Sequence, residues 1–231
     1  MQNRLEGGGQ VERQRRDERG GEQRGGVADQ RRRGGHWAKY ELEGYLLTGK
    51  TLGIVGAGQI GSRVGRLGAA WGMEVLGCIE GPATPALIQD YAQMGIQLAT
   101  LDEVLERSDF LSIHVPLQES TRHLIDARRL AQVKPGAFLV NLSRGGVVDE
   151  VALRDALAPH GPLRGAALDV HQQEGAGARS PLAALSNVIL TPHIGASTVD
   201  SQFEIGQVVV RIITEFADAH RARDAACLVR S

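Results

Sequence analysis

The chain has 231 residues, is 42% hydrophobic and carries a formal net charge of −1, which suits one folded domain and gives no global pull toward nucleic acid or a membrane. Its cysteines, Cys78 and Cys227, show no CxxC spacing, which argues against a disulfide framework and for a reducing, cytoplasmic setting. No apolar run approaches the roughly 18 residues of a membrane span, and no hydrophobic signal core or acid-poor, Ser-rich presequence is read at the N-terminus.

Residues 1–35 hold nine Arg, nine Gly and six acids and almost nothing apolar, so they cannot bury enough surface to offset their ordering entropy. A disordered tail is expected. Three RGG triplets, at Arg19, Arg24 and Arg33, raise RNA binding, but no aromatic residue interleaves them and the acids cancel most of the charge. From Trp37 onward, short apolar runs alternate with helical patterns. The runs at 51–56, 74–79, 109–114, 137–142, 165–170 and 187–191 read as fully buried strands of a parallel sheet covered on both faces. Helical patterns fall at 58–71, 84–94, 101–107 and 149–158, and the repeated βα units predict an α/β, Rossmann-type, doubly wound parallel sheet. A long closing helix is expected from Phe203, Ile205, Val208, Val209, Ile212 and Phe216, and no repeat at a fixed period is present.

The first strand runs into "GAGQIG", where Gly56, Gly58 and Gly61 form G-x-G-x-x-G at the start of a helix and ahead of a second strand. In that context the pattern predicts dinucleotide binding. Gly56 makes the turn, Gly58 lets the backbone approach a pyrophosphate, Gly61 permits close helix packing, and N–H groups near Gln59 and Ile60 face the phosphates. About 20 residues after the glycines an acid is expected on the ribose hydroxyls. Glu80 is the candidate, and its carboxylate would favour NAD over NADP. The histidine of "LTPHIGAST", His193, is on the residues alone an ordinary strand-end side chain.

Five segments, "LTGKTLGIVGAGQIG", "SDFLSIHVPLQESTRHLI", "KPGAFLVNLSRGGVVDEVALRDAL", "GAALDV" and "SNVILTPHIGAST", resemble in order the signatures of the NAD-binding domain of D-isomer specific 2-hydroxyacid dehydrogenases, over roughly residues 36–220. The resemblance implies hydride transfer between NAD and C2 of a small 2-hydroxy or 2-keto acid. It casts Arg144 as the guanidinium that holds the substrate's carboxylate and carbonyl, a task suited to its forked donors. It casts His193 as the acid/base residue, whose imidazole titrates near neutrality, and Glu174 as the carboxylate partner that favours imidazolium. Formate dehydrogenases of similar sequence carry Gln at that place, so Glu174 points to a hydroxy acid. Leu142 and Ser143 would touch the cofactor through their backbone, Asp169 would lie near the nicotinamide, and Val115, Pro116, Thr121, Gly195 and Ala196 would line it. No metal site is implied; His114 and His171 are read as structural or surface residues.

The family implies a homodimer, with residues 36–222 as the NAD-binding domain between the tail and a short C-terminal segment, 223–231. Three departures stand out. The family's ribose acid aligns with Ile79 rather than Glu80, and its Pro after the Glu is Gly175, which leaves Glu174 less firmly held. The roughly hundred-residue substrate domain that precedes this region in the family has no counterpart, so turnover by this chain alone is not expected. Two other readings remain: a non-catalytic NAD(H) sensor or interaction module, and an RNA-associated protein acting through its RGG tail.

Overall fold

A computed structural model describes residues 31–228 except 38 and 41–43. Most of the Arg/Gly-rich tail, over 1–30, therefore lies outside the described residues; residues 31–33, at its end, are helical. By backbone contacts the chain divides into one unit up to Pro192 and another from His193 onward.

The first unit holds one sheet of seven parallel strands: β1 (Thr51–Val55), β2 (Glu74–Cys78), β3 (Gln97–Leu98), β4 (Phe110–Ile113), β5 (Ala137–Asn141), β6 (Leu163–Leu168) and β7 (Val188–Leu190). Their order is β3-β2-β1-β4-β5-β6-β7, so the winding reverses between β1 and β4. In open α/β sheets ligands bind at such a switch point, beyond the carboxyl ends of the strands. Every position of β1 is buried, as a central strand covered on both faces requires. Leu52, Ile54 and Val75 fall in one buried cluster and Val55 and Leu76 in another, so alternate residues of β1 and β2 feed a core on each face.

Between the strands run α1 (Gln59–Ala70), α2 (Pro85–Gln93), α3 (Leu101–Arg107), α4 (Ala127–Leu130) and α5 (Glu150–Ala156). Most begin with local sequence chemistry. Thr84 caps α2 with Pro85 in its first turn, Thr100 and Glu103 form a reciprocal capping box on α3, and the Asp149 carboxylate accepts from the N–H groups of Val151 and Ala152 on α5. α1 differs. Its N-cap is Gly58, and no side chain caps its first turn.

The buried face of α1 is a glycine stripe, Gly61, Gly65 and Gly68. A Cβ at Gly61 would lie 2.3 Å from the Gly56 carbonyl oxygen, one at Gly65 2.6 Å from Ile96 Cδ1, and one at Gly68 2.5 Å from Leu52 Cδ2. The helix backbone therefore rests directly on the sheet.

Three details differ from the sequence reading. Six strands are expected and seven form, because β3 is only two residues long and carries no run to detect. Burial along every strand fails at β7, where Ile189 is 43% exposed, since among the described residues that strand is an edge paired with β6 alone. The closing helix, α6 (Val199–Leu228), is 30 residues long, about twice the segment that suggested it. α6 belongs to the second unit; Thr198 accepts from Ser201 N–H at its start, and Phe203, Ile205, Ile212, Ile213 and Phe216 are all more than half exposed. No helix among the described residues is long and apolar enough to cross a membrane.

Candidate functional site

The parallel register brings the carboxyl ends of the strands into one row. Cys78, Val55, Ile113, Asn141, Leu168 and Leu190 are successive partners across the sheet. The residues singled out from the sequence follow that row: Gly56 after β1, Glu80 after β2, Val115 after β4, Arg144 after β5, Asp169 after β6.

At the switch point the "GAGQIG" turn takes the form its glycines suggest. Gly56 has φ +90, and a Cβ on it would meet Val115 Cγ1 at 2.6 Å and the His114 carbonyl carbon at 3.0 Å. Around Gly58 a Cβ would meet no atom within 4 Å. Open space therefore faces the uncapped start of α1, where Gln59 and Ile60 are exposed and the first-turn N–H groups carry the positive end of the helix dipole. The loop is also held from behind. Ala57 N–H donates to the Cys78 carbonyl over 2.8 Å, and the Tyr91 hydroxyl donates to the Ala57 carbonyl.

Gly56, Ile79, Glu80, Val115, Pro116 and Thr121 all line one cleft of about 1160 Å³, large enough for a nucleotide-sized ligand. Both Ile79 and Glu80 reach it, with Glu80 exposed at the end of β2. The Thr121 hydroxyl is committed within its own turn, donating to the Pro116 carbonyl (2.6 Å) and accepting Gln118 N–H (2.8 Å), so it offers shape to the cleft. Cys78 borders the same space, but burial pushes its thiol above the usual range and keeps it protonated. Burial also lowers the His114 pKa, which keeps that imidazole neutral at pH 7 with Nε2 against the Ser112 hydroxyl.

A second group of side chains sits beyond β5 and β6. Asn141, 1% exposed, shapes the Arg144 loop from both ends: its amide donates to the Arg144 carbonyl (3.1 Å), while its oxygen accepts the N–H (3.1 Å) and hydroxyl (2.9 Å) of Ser143. Leu142 and Arg144 are exposed, and the Arg144 guanidinium donates to the Ser143 carbonyl at 2.7 Å. Gly145 is required next, because a Cβ there would lie 1.8 Å from the His171 carbonyl oxygen. The Arg144 loop and the loop after β6 are thus in backbone contact.

That second loop carries Glu174. Its carboxylate accepts His171 N–H at 3.0 Å, and Gly175 beside it has φ +120, a torsion closed to proline. Glu174 is better anchored than the looser sequence suggests, because Glu150 ties the loop down on either side. This buried carboxylate, 2% exposed, accepts Gln172 N–H (2.6 Å) and the Ser180 hydroxyl (3.1 Å). Asp169, also 2% exposed, accepts the Thr191 hydroxyl at 2.5 Å.

The remaining residues lie in the second unit. His193 has φ +56, a left-handed conformation that few non-glycine residues adopt and that clusters at functional sites. Gly195 and Ala196 form the middle of a turn closed by Ser197 N–H on the Ile194 carbonyl, 2.9 Å. Asn141, Glu150 and Tyr91 were missed in the sequence reading. The first two carried a signal, a polar residue closing the apolar run "AFLVN" and an acid following the Asp149 cap. Among the described residues, no group of three or more His, Cys, Asp or Glu could hold a metal ion.

The fold, the glycine turn at the switch point and the loops beyond β5 and β6 are those of a dinucleotide-binding domain, and the comparisons give its family. The model for the NAD-binding domain of D-isomer specific 2-hydroxyacid dehydrogenases matches residues 23–195. The chain belongs to this family. It is 41% identical over 181 residues to D-3-phosphoglycerate dehydrogenase of Methanocaldococcus jannaschii, covering 78% of this chain and 33% of that one. It is 40% identical over 184 residues to hydroxypyruvate reductase of Thermotoga maritima, covering 78% and 58%. Among solved structures it resembles D-lactate dehydrogenase of Aquifex aeolicus complexed with NAD and lactic acid, with a TM-score of 0.72 and 32% identity over 84% of this chain and 61% of that one. The chain thus spans one third to about three fifths of the length of these relatives.

Proposed function

We propose that this chain is the cofactor-binding part of an NAD-dependent D-2-hydroxyacid dehydrogenase, interconverting a small 2-hydroxy acid and its 2-keto acid. The observation that carries the reading is the row of strand ends, which leads from the open, uncapped start of α1 at the switch point to the Arg144 and Glu174 loops. Gly56, Gly58, Gln59, Ile60 and Gly61 would hold the pyrophosphate, and Glu80 the ribose. Val115, Pro116, Thr121, Leu142, Ser143, Asp169, Gly195 and Ala196 would line the rest of the cofactor. The fit is physical, since the space at Gly58 is empty of protein atoms and the helix start offers N–H donors. When bound, NADH supplies the hydride that reduces C2, and NAD takes it in the reverse direction.

The chain's own residues do the remainder. Arg144 holds the substrate carboxylate and polarises the carbonyl through forked donors. His193 delivers a proton to the carbonyl oxygen as C2 gains hydride, giving the hydroxy acid, and removes that proton in the oxidation. Glu174 stabilises the imidazolium. Asn141 and Glu150 hold the two loops in place. A non-catalytic sensor has no support among the relatives, whose names are those of enzymes.

The ribose assignment is tested by binding. NAD is expected to bind at least tenfold more tightly than NADP, because the Glu80 carboxylate repels a 2′-phosphate, and Glu80→Ala is expected to narrow that ratio. Equal affinities of the unaltered protein for the two cofactors would remove Glu80 from the site.

We further propose that the protein works in the cytoplasm as a homodimer, with residues 36–222 as its NAD-binding domain between 1–35 and 223–231. The apolar side chains that α6 exposes support association, since monomers rarely expose contiguous patches of that kind. Light scattering at high protein concentration is expected to give twice the chain mass of 24.7 kDa, and a strictly monomeric mass contradicts the pairing.

A further inference from the structure

Ala57, the second residue of "GAGQIG", is held at three points, all of them outside α1. Its methyl is buried against β2, where a Cβ on Gly77 would lie 3.0 Å from it. Its N–H donates to the Cys78 carbonyl over 2.8 Å, and its carbonyl accepts the hydroxyl of Tyr91, which reaches across from α2. A trans peptide is planar, so its carbonyl and the following N–H point in opposite directions. Holding the Ala57 carbonyl on the Tyr91 side therefore aims the Gly58 N–H to the other side. Gly58 is the N-cap of α1, and its surroundings are open.

We propose that Tyr91 is a positioning residue for the pyrophosphate of the dinucleotide: its hydroxyl fixes the Ala57–Gly58 peptide so that the Gly58 N–H is presented as a phosphate donor. The inference rests on the reading that this loop receives the pyrophosphate. Without the hydroxyl, the peptide can rotate and turn a carbonyl oxygen toward the phosphates, replacing a donor by a repelling dipole. The ring has a separate task, packing half-buried against the cluster that contains Leu52, Ile54 and Ile96. Tyr91→Phe keeps that packing and removes only the hydroxyl.

The test compares three ligands on the chain as it stands: NADH, ADP-ribose, which carries the pyrophosphate, and adenosine, which does not. Tyr91→Phe is expected to weaken NADH and ADP-ribose about tenfold, the upper range for one hydrogen bond between neutral groups, and to leave adenosine affinity and the melting temperature nearly unchanged. An unchanged NADH affinity overturns the proposal. So does an equal loss for adenosine, which general loosening of the fold would produce. Gly58→Val serves as the control for the underlying reading: if it abolishes NADH binding while Tyr91→Phe does not weaken it, only the role of Tyr91 falls, whereas NADH binding retained in Gly58→Val removes the pyrophosphate from this loop altogether.

Discussion

Gly58→Val is expected to leave the fold intact and to weaken NADH binding by at least a hundredfold, about 2.8 kcal/mol. Gly58 has φ −73 and ψ −155, an extended conformation open to any residue, and a side chain there meets no protein atom within 4 Å. The cost to stability is limited to a weaker N-cap, about 1 kcal/mol or less. The cost to binding is larger because the branched side chain fills the space through which the pyrophosphate must reach the N–H groups of α1. Gly61 provides the contrast. A Cβ at that position would sit 2.3 Å from the Gly56 carbonyl oxygen, so Gly61→Ala must push α1 off the sheet, and the expected effect is on folding, of order 1–3 kcal/mol. Thermal melts and NADH titrations on the pair separate the two roles: Gly58→Val fails in binding with a normal melt, and Gly61→Ala melts early.

His193→Ala is expected to lower the reduction of a 2-keto acid by a factor of about 10²–10⁴, the usual contribution of a positioned general acid. The measurement belongs in a protein that joins this chain to a substrate-binding region, since the chain spans 33% of the phosphoglycerate dehydrogenase, 58% of the hydroxypyruvate reductase and 61% of the lactate dehydrogenase it resembles. Arg144→Ala is expected to fall by a comparable factor, and Arg144→Lys to recover little, because an ammonium lacks the forked geometry that grips a carboxylate. Glu174→Gln keeps a hydrogen bond and loses the charge, so its loss is smaller. NADH affinity stays near the unaltered value in all four, which separates these roles from cofactor binding. Near-normal turnover in His193→Ala makes that histidine structural.

The features of the fold and site that are legible in the sequence are those written locally. The Gly56, Gly58 and Gly61 spacing predicts a turn, an approach to a pyrophosphate and a close helix packing within six residues; the structure has the turn at Gly56 and the close packing at Gly61, and leaves open space around Gly58 at the start of α1. The apolar runs gave six of seven strands because buried parallel strands are continuous in hydrophobicity, whereas Gln97–Leu98 is too short for any pattern. What was not legible depends on residues brought together from afar. Tyr91 meets Ala57 across 34 positions, and Glu150 meets Ser180 across 30. Neither contact has a sequence signature. Gly65 and Gly68 were present but unread, since a glycine stripe on a helix gains its meaning only from Ile96 and Leu52 beneath it.

The firmness of the Glu174 loop was also hidden. Glycine in place of the family's proline suggested slackness, yet the buried Glu150 carboxylate anchors the segment at Gln172 and Ser180. A polar side chain that is 2% exposed is tolerable there because two donors satisfy its oxygens.

The central claim is that the open turn at the β1–β4 switch point holds NAD, and a titration of the unaltered chain with NADH tests it most directly. Trp71, 60% exposed at the far end of α1, lies roughly 20 Å along that helix from the Gly58 turn, within reach of energy transfer to a reduced dinucleotide bound at that turn. Saturable quenching of tryptophan emission is expected at one NADH per chain, reversed by excess ADP-ribose and absent in Gly58→Val. A folded protein whose emission shows no saturable response to NADH contradicts the claim.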